Sequence, residues 1–112
     1  MYEQDFTIIR GQTFLKEIAV TVNNEIYPLD GYVAISEIRP YAGSPILTES
    51  FNCEIIGEKG IIKISLTKEQ TNNLVKGTQY YDILLINNQT DEYTYYVGGK
   101  LIIKNHVTEL PT

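Results

Sequence analysis

Short runs in which apolar and polar residues alternate, rich in Ile, Val, Thr and Tyr and separated by turn residues, make up most of this chain. A period of two sends successive side chains to opposite faces, so the pattern predicts half-buried β-strands. The first is Phe6-Thr7-Ile8-Ile9, after which Arg10-Gly11-Gln12 turns the chain into a long second strand over residues 13–22. Along it Phe14, Ile18, Val20 and Val22 share a face, with Lys16 the exception, which predicts a core-facing side. Asn23-Asn24-Glu25 reads as a turn because Asn tolerates left-handed dihedrals, and Ile26-Tyr27-Pro28-Leu29 leads to Asp30-Gly31, a hairpin signal.

Residues 32–38 alternate again, and two prolines and a glycine make residues 39–45 a loop. A further strand is expected within residues 46–56. Gly57-Glu58-Lys59-Gly60 closes a hairpin into Ile61-Ile62-Lys63-Ile64-Ser65-Leu66, where Ile62, Ile64 and Leu66 share a face. Thr67-Lys68-Glu69-Gln70 then has capping-box spacing, which predicts a short helix near residues 68–74 that stops before Gly77. Residues 79–86, 92–97 and 100–104 return to strand, with a hairpin loop at 87–91 and a bulge or break at Gly98-Gly99. The expected fold is all-β, an immunoglobulin-like antiparallel β-sandwich of about seven strands with one short helical turn. It should occupy residues 1–104, leaving 105–112 as a tail in which Pro111 opposes pairing.

A length of 112 residues suits one domain, enough to bury about two thirds of the unfolded chain's surface. No apolar run approaches the roughly 20 residues that span a bilayer. Met1-Tyr2-Glu3-Gln4-Asp5 carries acidic residues where a secretory leader would be basic and then apolar, so synthesis in a cytoplasm is expected. Asp and Glu outnumber Lys and Arg by 14 to 9 without forming a block, and such a surface repels phosphate backbones. Nucleic acid and anionic membrane are therefore not expected as partners. Cys53 is alone, which excludes an intrachain disulfide, and its place between Asn52 and Glu54 in a strand-like run reads as a small packing residue.

The chemical motifs reduce to turns when weighed in context. Gly57-Glu58-Lys59-Gly60 has the form of a nucleic-acid-clamping GXXG loop, but a β-branched strand follows where a helix is needed, and Glu58 would oppose phosphate. Gly98-Gly99-Lys100 lacks the upstream glycine of a P-loop at Thr94, and Leu101 stands where Ser or Thr would bind Mg²⁺. His106, the single histidine, lies in the expected tail, and no Gly-x-Ser-x-Gly elbow or calcium loop occurs. No catalytic, cofactor or metal site is expected. Asn88-Gln89-Thr90 fits a glycosylation sequon but reads as a polar loop. Asp82, inside the strand-like Tyr80-Tyr81-Asp82-Ile83-Leu84, needs a partner, and Arg39 is the candidate for a structural ion pair. Nine tyrosines are an enrichment, and Tyr80-Tyr81 and Tyr95-Tyr96 should each put one ring on either face of a strand. Tyr93, Tyr95 and Tyr96 are the candidate protein-contact residues, with stacking on sugars as the alternative use of outward rings.

Several of these segments in order resemble a small β-sandwich domain of tailed-bacteriophage structural proteins, similar to the N-terminal domain of baseplate upper proteins. The landmarks are Phe6-Thr7-Ile8-Ile9-Arg10-Gly11-Gln12-Thr13-Phe14, Tyr27-Pro28-Leu29-Asp30-Gly31-Tyr32, Glu37-Ile38-Arg39 and Gly43-Ser44-Pro45-Ile46-Leu47. They continue with Gly60-Ile61-Ile62-Lys63-Ile64-Ser65-Leu66-Thr67, Gln70-Thr71, Gly77, Tyr81-Asp82-Ile83, Gly98-Gly99-Lys100-Leu101 and Val107-Thr108. What the resemblance implies is a non-enzymatic virion component, an attachment, adaptor or decoration module of tail, baseplate, fibre or head. Its implied partners are other virion proteins, met as multiple copies in a symmetric assembly, and it would be made in the host bacterial cytoplasm. A carbohydrate-binding β-sandwich module using exposed tyrosines is the alternative.

Overall fold

The computed structural model describes residues 1–108. Eleven strand segments appear in chain order: β1 (Tyr2–Glu3), β2 (Phe6–Ile9), β3 (Phe14–Ala19), β4 (Thr21–Val22), β5 (Glu25–Ile26), β6 (Tyr32–Arg39), β7 (Glu49–Ser50), β8 (Asn52–Ile56), β9 (Ile61–Leu66), β10 (Gly77–Asn87) and β11 (Glu92–Lys104). A 3-10 turn covers Gly57–Lys59, and α1 covers Lys68–Asn72. One sheet runs β1-β11-β10-β6-β7 with β2 also on β11, the other runs β3-β9-β8, and β4 and β5 form a separate hairpin. Among the described residues only β1 and β2 pair in parallel, both with β11. The expected all-β sandwich is thereby borne out.

The segments outnumber the expected strands in part because two strands are interrupted, one along a single neighbour and one where it passes between the sheets. β1 and β2 lie on β11 at one register, Tyr2 opposite Val97 and Phe6 opposite Leu101. Between them the amide of Gln4 donates to Gly98 O at 3.0 Å, and Asp5 Oδ1 accepts from the Lys100 amide at 2.8 Å. β7 and β8 are one strand that changes sheets at Phe51, whose amide donates to Ser36 O at 2.9 Å. That switch closes one side of the sandwich.

Ile62, Ile64 and Leu66 of β9 are buried as their shared face predicts, and they join Tyr81, Ile83, Leu85, Val97, Leu101 and Ile103 of the larger sheet in one core. Four rings meet inside it. Phe6 lies 5.6 Å from Phe14, Phe14 5.7 Å from Phe51, Phe51 5.8 Å from Tyr81, and Tyr81 5.7 Å from Phe6. The hydroxyl of Tyr81 donates to Gln4 O at 2.6 Å, which supplies the polar partner a buried phenol needs. Burial pushes this phenol's pKa up, so it stays a donor through the neutral range.

The helix starts as its capping box predicts. Thr67 Oγ1 accepts from the Gln70 amide at 3.1 Å, and Gln70 Oε1 accepts from the Thr67 amide at 2.9 Å. It ends at Asn72 rather than Leu74, and Leu74 turns into the core. Thr71, fully buried, donates to Gln12 O at 2.9 Å and accepts from the Gly11 amide at 3.0 Å, tying the helix to the β2–β3 turn.

Several expectations are corrected. The strand expected over 13–22 ends at Ala19, and Val22, expected in the core, is 52% exposed because β4 pairs only with β5. The Asn23-Asn24 turn is present, with φ of 54° and 64°. Asp30-Gly31 is a turn but not a hairpin: Gly31 has φ 81°, the Tyr32 amide donates to Leu29 O, and the chain leaves β5 to enter the larger sheet. The strand expected within residues 46–56 is present, as Glu49–Ser50 and Asn52–Ile56. No break occurs at Gly98-Gly99, since β11 runs through both, and the irregularity lies between Ile83 and Leu84 opposite residues 95–97. The glycines answer a different need, because a Cβ on Gly99 would collide with the Gln4 carbonyl where the N-terminal strand runs beside β11. Of the tail expected over 105–112, residues 109–112 lie outside the described residues.

Replacing Thr71 by Val keeps the shape but removes the hydroxyl partner of the Gly11 N–H and the Gln12 C=O, both part-buried, where a lost hydrogen bond costs about 0.5–1.5 kcal/mol. Chemical denaturation should show Thr71→Val less stable by about 1–3 kcal/mol, and Thr71→Ser, which keeps the hydroxyl, should recover most of that loss.

Candidate interaction face

Antiparallel register decides which side chains leave the core. β10 sets Tyr81, Ile83 and Leu85 inward, so Tyr80, Asp82, Leu84 and Ile86 face out. Their outward partners on β6 are Arg39, Glu37, Ile35 and Val33, and on β11 Leu84 and Ile86 stand opposite Tyr95 and Tyr93. One end of the face is apolar: Tyr93 is 61%, Tyr95 56%, Ile35 47% and Val33 42% exposed. The other end is charged. A hollow of about 420 Å³ opens there, lined by Met1, Glu3, Ile35, Glu37, Arg39, Tyr41, Tyr80, Asp82, Leu84, Tyr95 and Gly98 among others.

The ion pair expected between Arg39 and Asp82 is corrected, because the guanidinium is taken by nearer acceptors. Arg39 Nη2 lies 3.0 Å from Glu37 Oε1, and Nη1 donates to Ser44 O at 3.1 Å. Asp82 stands directly across from Glu37. Burial raises its pKa most, Glu37 raises it further, and Arg39 lowers it. Among the described residues no cation lies within ion-pair distance of Asp82. The sequence marked Asp82 as a charge in need of a partner, but two-residue spacing on one strand gave Glu37 the first claim on Arg39.

Of the candidate contact tyrosines, Tyr93 and Tyr95 stand on the exposed apolar end, whereas Tyr96 is turned the other way. It is half-buried against the core, with its ring 5.1 Å from that of Tyr2. Each adjacent tyrosine pair does divide between faces, with Tyr81 buried where Tyr80 is exposed. Sequence reasoning missed Val33 and Ile35 as part of the surface, since alternation marks two faces without saying which one is covered. Hydrophobic residues on both faces of β6 were the available signal.

Other sequence candidates lie elsewhere. Cys53 is half-buried on β8, 3.8 Å from Phe51 O, and burial pushes its thiol up to about 11. His106 is half-buried beyond β11. Asn88-Gln89-Thr90 is in the β10–β11 turn, where Asn87 Oδ1 accepts from the amides of Gln89 and Thr90 at 2.9 and 3.3 Å. Among the described residues no group of three or more His, Cys, Asp or Glu is placed to hold a metal ion, and no helix is long and apolar enough to cross a membrane.

No protein-family model matches the chain, and no curated protein matches it in sequence. Among solved structures it is similar to the NK cell receptor Nkp44, titled a triggering partner in natural cytotoxicity. The TM-score is 0.50 and the identity 11%, over 92% of this chain and 97% of that one. At that identity the likeness concerns the fold alone, and it defines an immunoglobulin-like β-sandwich.

Two outcomes follow from these environments. Because the raised pKa of Asp82 means that the folded state holds its proton more tightly than the unfolded chain, its stability contribution is fully present below the ordinary value of 3.8. That contribution is lost as pH rises through the folded value. Asp82→Asn should therefore melt at a higher temperature than the parent chain at pH 7, and the gain should fade below pH 3.8. Cys53, protonated up to about pH 11, should label slowly with a maleimide at pH 8, and labelling in denaturant should be at least about tenfold faster.

Proposed function

We propose that this chain is a non-enzymatic structural protein of a tailed-bacteriophage virion, an attachment, adaptor or decoration module of tail, baseplate, fibre or head. The observation that carries the reading is the uncovered outer face of β6, β10 and β11, where Val33, Ile35, Tyr93 and Tyr95 place apolar and aromatic surface together. A contiguous apolar patch on a small domain marks a contact surface, and tyrosine supplies large contact area at low entropic cost. The order of landmarks along the chain, which resembles the baseplate-type sandwich, supports the phage setting. Its partners in this reading are other virion proteins, met in repeated copies as symmetric particles require, and it is made in the host bacterial cytoplasm.

A second reading, a carbohydrate-binding module, draws on the presence of Tyr41, Tyr80 and Tyr95 around one hollow. Sugar platforms bind as isolated domains, whereas an assembly module binds its particle.

The test is to purify particles from cells carrying the gene, quantify the chain by mass spectrometry, and repeat with Ile35→Asp and Tyr95→Ser. The parent chain should be present at a fixed copy number, and each substitution should lower its occupancy about tenfold or more while the free protein stays folded. A chain found only outside particles, or one retained equally by both variants, would sink the reading.

A further inference from the structure

The outer sheet face is continuous in space but divided in chemistry. Ile35, Leu84 and Tyr95 belong both to its apolar end and to the wall of the hollow, so a partner that covers the first must also present something to the second. Within the hollow, Arg39 is occupied by Glu37 and by the Ser44 carbonyl. Asp82 and Glu3 have no cation within ion-pair distance among the described residues, and Glu3, Glu37 and Asp82 stand against Arg39 alone, so the side chains lining the hollow carry excess negative charge. Tyr41 and Tyr80 add aromatic wall, and the faces of such rings attract cations. A neutral sugar would leave this charge uncompensated as it displaced water. A guanidinium or ammonium group would neutralise it and lie against the rings.

We propose that the hollow receives an arginine or lysine side chain of a protein partner, flanked by apolar residues that cover Ile35, Leu84 and Tyr95. The inference rests on the reading that this face is where the chain is gripped, and it adds the charge and shape of what grips it. The stability cost of Asp82 fits a group kept for contact, since surfaces that serve binding often give up stability in the free protein.

The experiment titrates the full chain with acetyl-Leu-Arg-Leu-amide and with acetyl-Leu-citrulline-Leu-amide, which has nearly the same shape without the charge. Backbone NMR shifts of Tyr80, Asp82 and Tyr95 are followed. The arginine peptide should bind about fivefold or more tightly than its neutral counterpart, with the largest shifts at those residues. Asp82→Asn should bring the ratio close to one, and about 0.5 M NaCl should shrink it in the unaltered chain, which tests the charge without any substitution. Equal affinities, a preference that survives both Asp82→Asn and salt, or tighter binding of maltose or diacetylchitobiose at the same residues would overturn the proposal. A chain incorporated into particles through this face but blind to the charge would sink this inference alone. Preference for arginine in a chain that never joins a particle would sink the assembly reading alone.

Discussion

The four-ring contact of Phe6, Phe14, Phe51 and Tyr81 is the interaction on which the rest of the structure depends. Each ring comes from a different part of the chain: the N-terminal strand, the smaller sheet, the sheet-switching strand and the centre of the larger sheet. Aromatic pairs contribute about 0.5–1.5 kcal/mol each beyond the area they bury. Four such contacts therefore supply a few kcal/mol, comparable to the roughly 2–5 kcal/mol that a native disulfide gives a small domain. With Cys53 the single cysteine, no intrachain disulfide joins the two sheets.

That cluster also explains how the N-terminal strand is held. Phe6 anchors it from within, the Tyr81 hydroxyl grips the Gln4 carbonyl, and Gly99 leaves room for that carbonyl beside β11. Residues 1–3 are thereby brought to the rim of the charged hollow, to which Met1 and Glu3 contribute. Core and surface are thus linked through one strand: the inward side of Tyr81 fixes the backbone whose outward neighbours, Tyr80 and Asp82, shape the hollow.

The sandwich closes one side by moving β7 and β8 between sheets, and it tolerates a charge, Lys16, on the inward-facing register of the open strand β3. An inward-pointing charge on an edge strand discourages edge-to-edge pairing. The outer face of β6, β10 and β11 is left uncovered, with apolar and aromatic side chains exposed and Asp82 held at a cost to stability.

Period-two alternation determined the strands, and the Thr67-to-Gln70 capping box determined where the helix begins, because both are set by neighbours along the chain. The all-β class and most of the core, Ile62, Ile64 and Leu66 above all, were legible on those grounds. Other features depend on residues distant in sequence. Val22 alternates correctly yet is exposed, since β4 pairs only with β5 and not with either sheet. Gly98 and Gly99 look like a break until the N-terminal strand is seen running beside them, and Asp82 meets Glu37 instead of a cation only through the pairing of β10 with β6. Local chemistry specifies which segments become strands and which side chains share a face. Which face is covered, and which charges face each other across paired strands, was decided only in the folded sheets, because burial and cross-strand neighbours are properties of surfaces that meet in space.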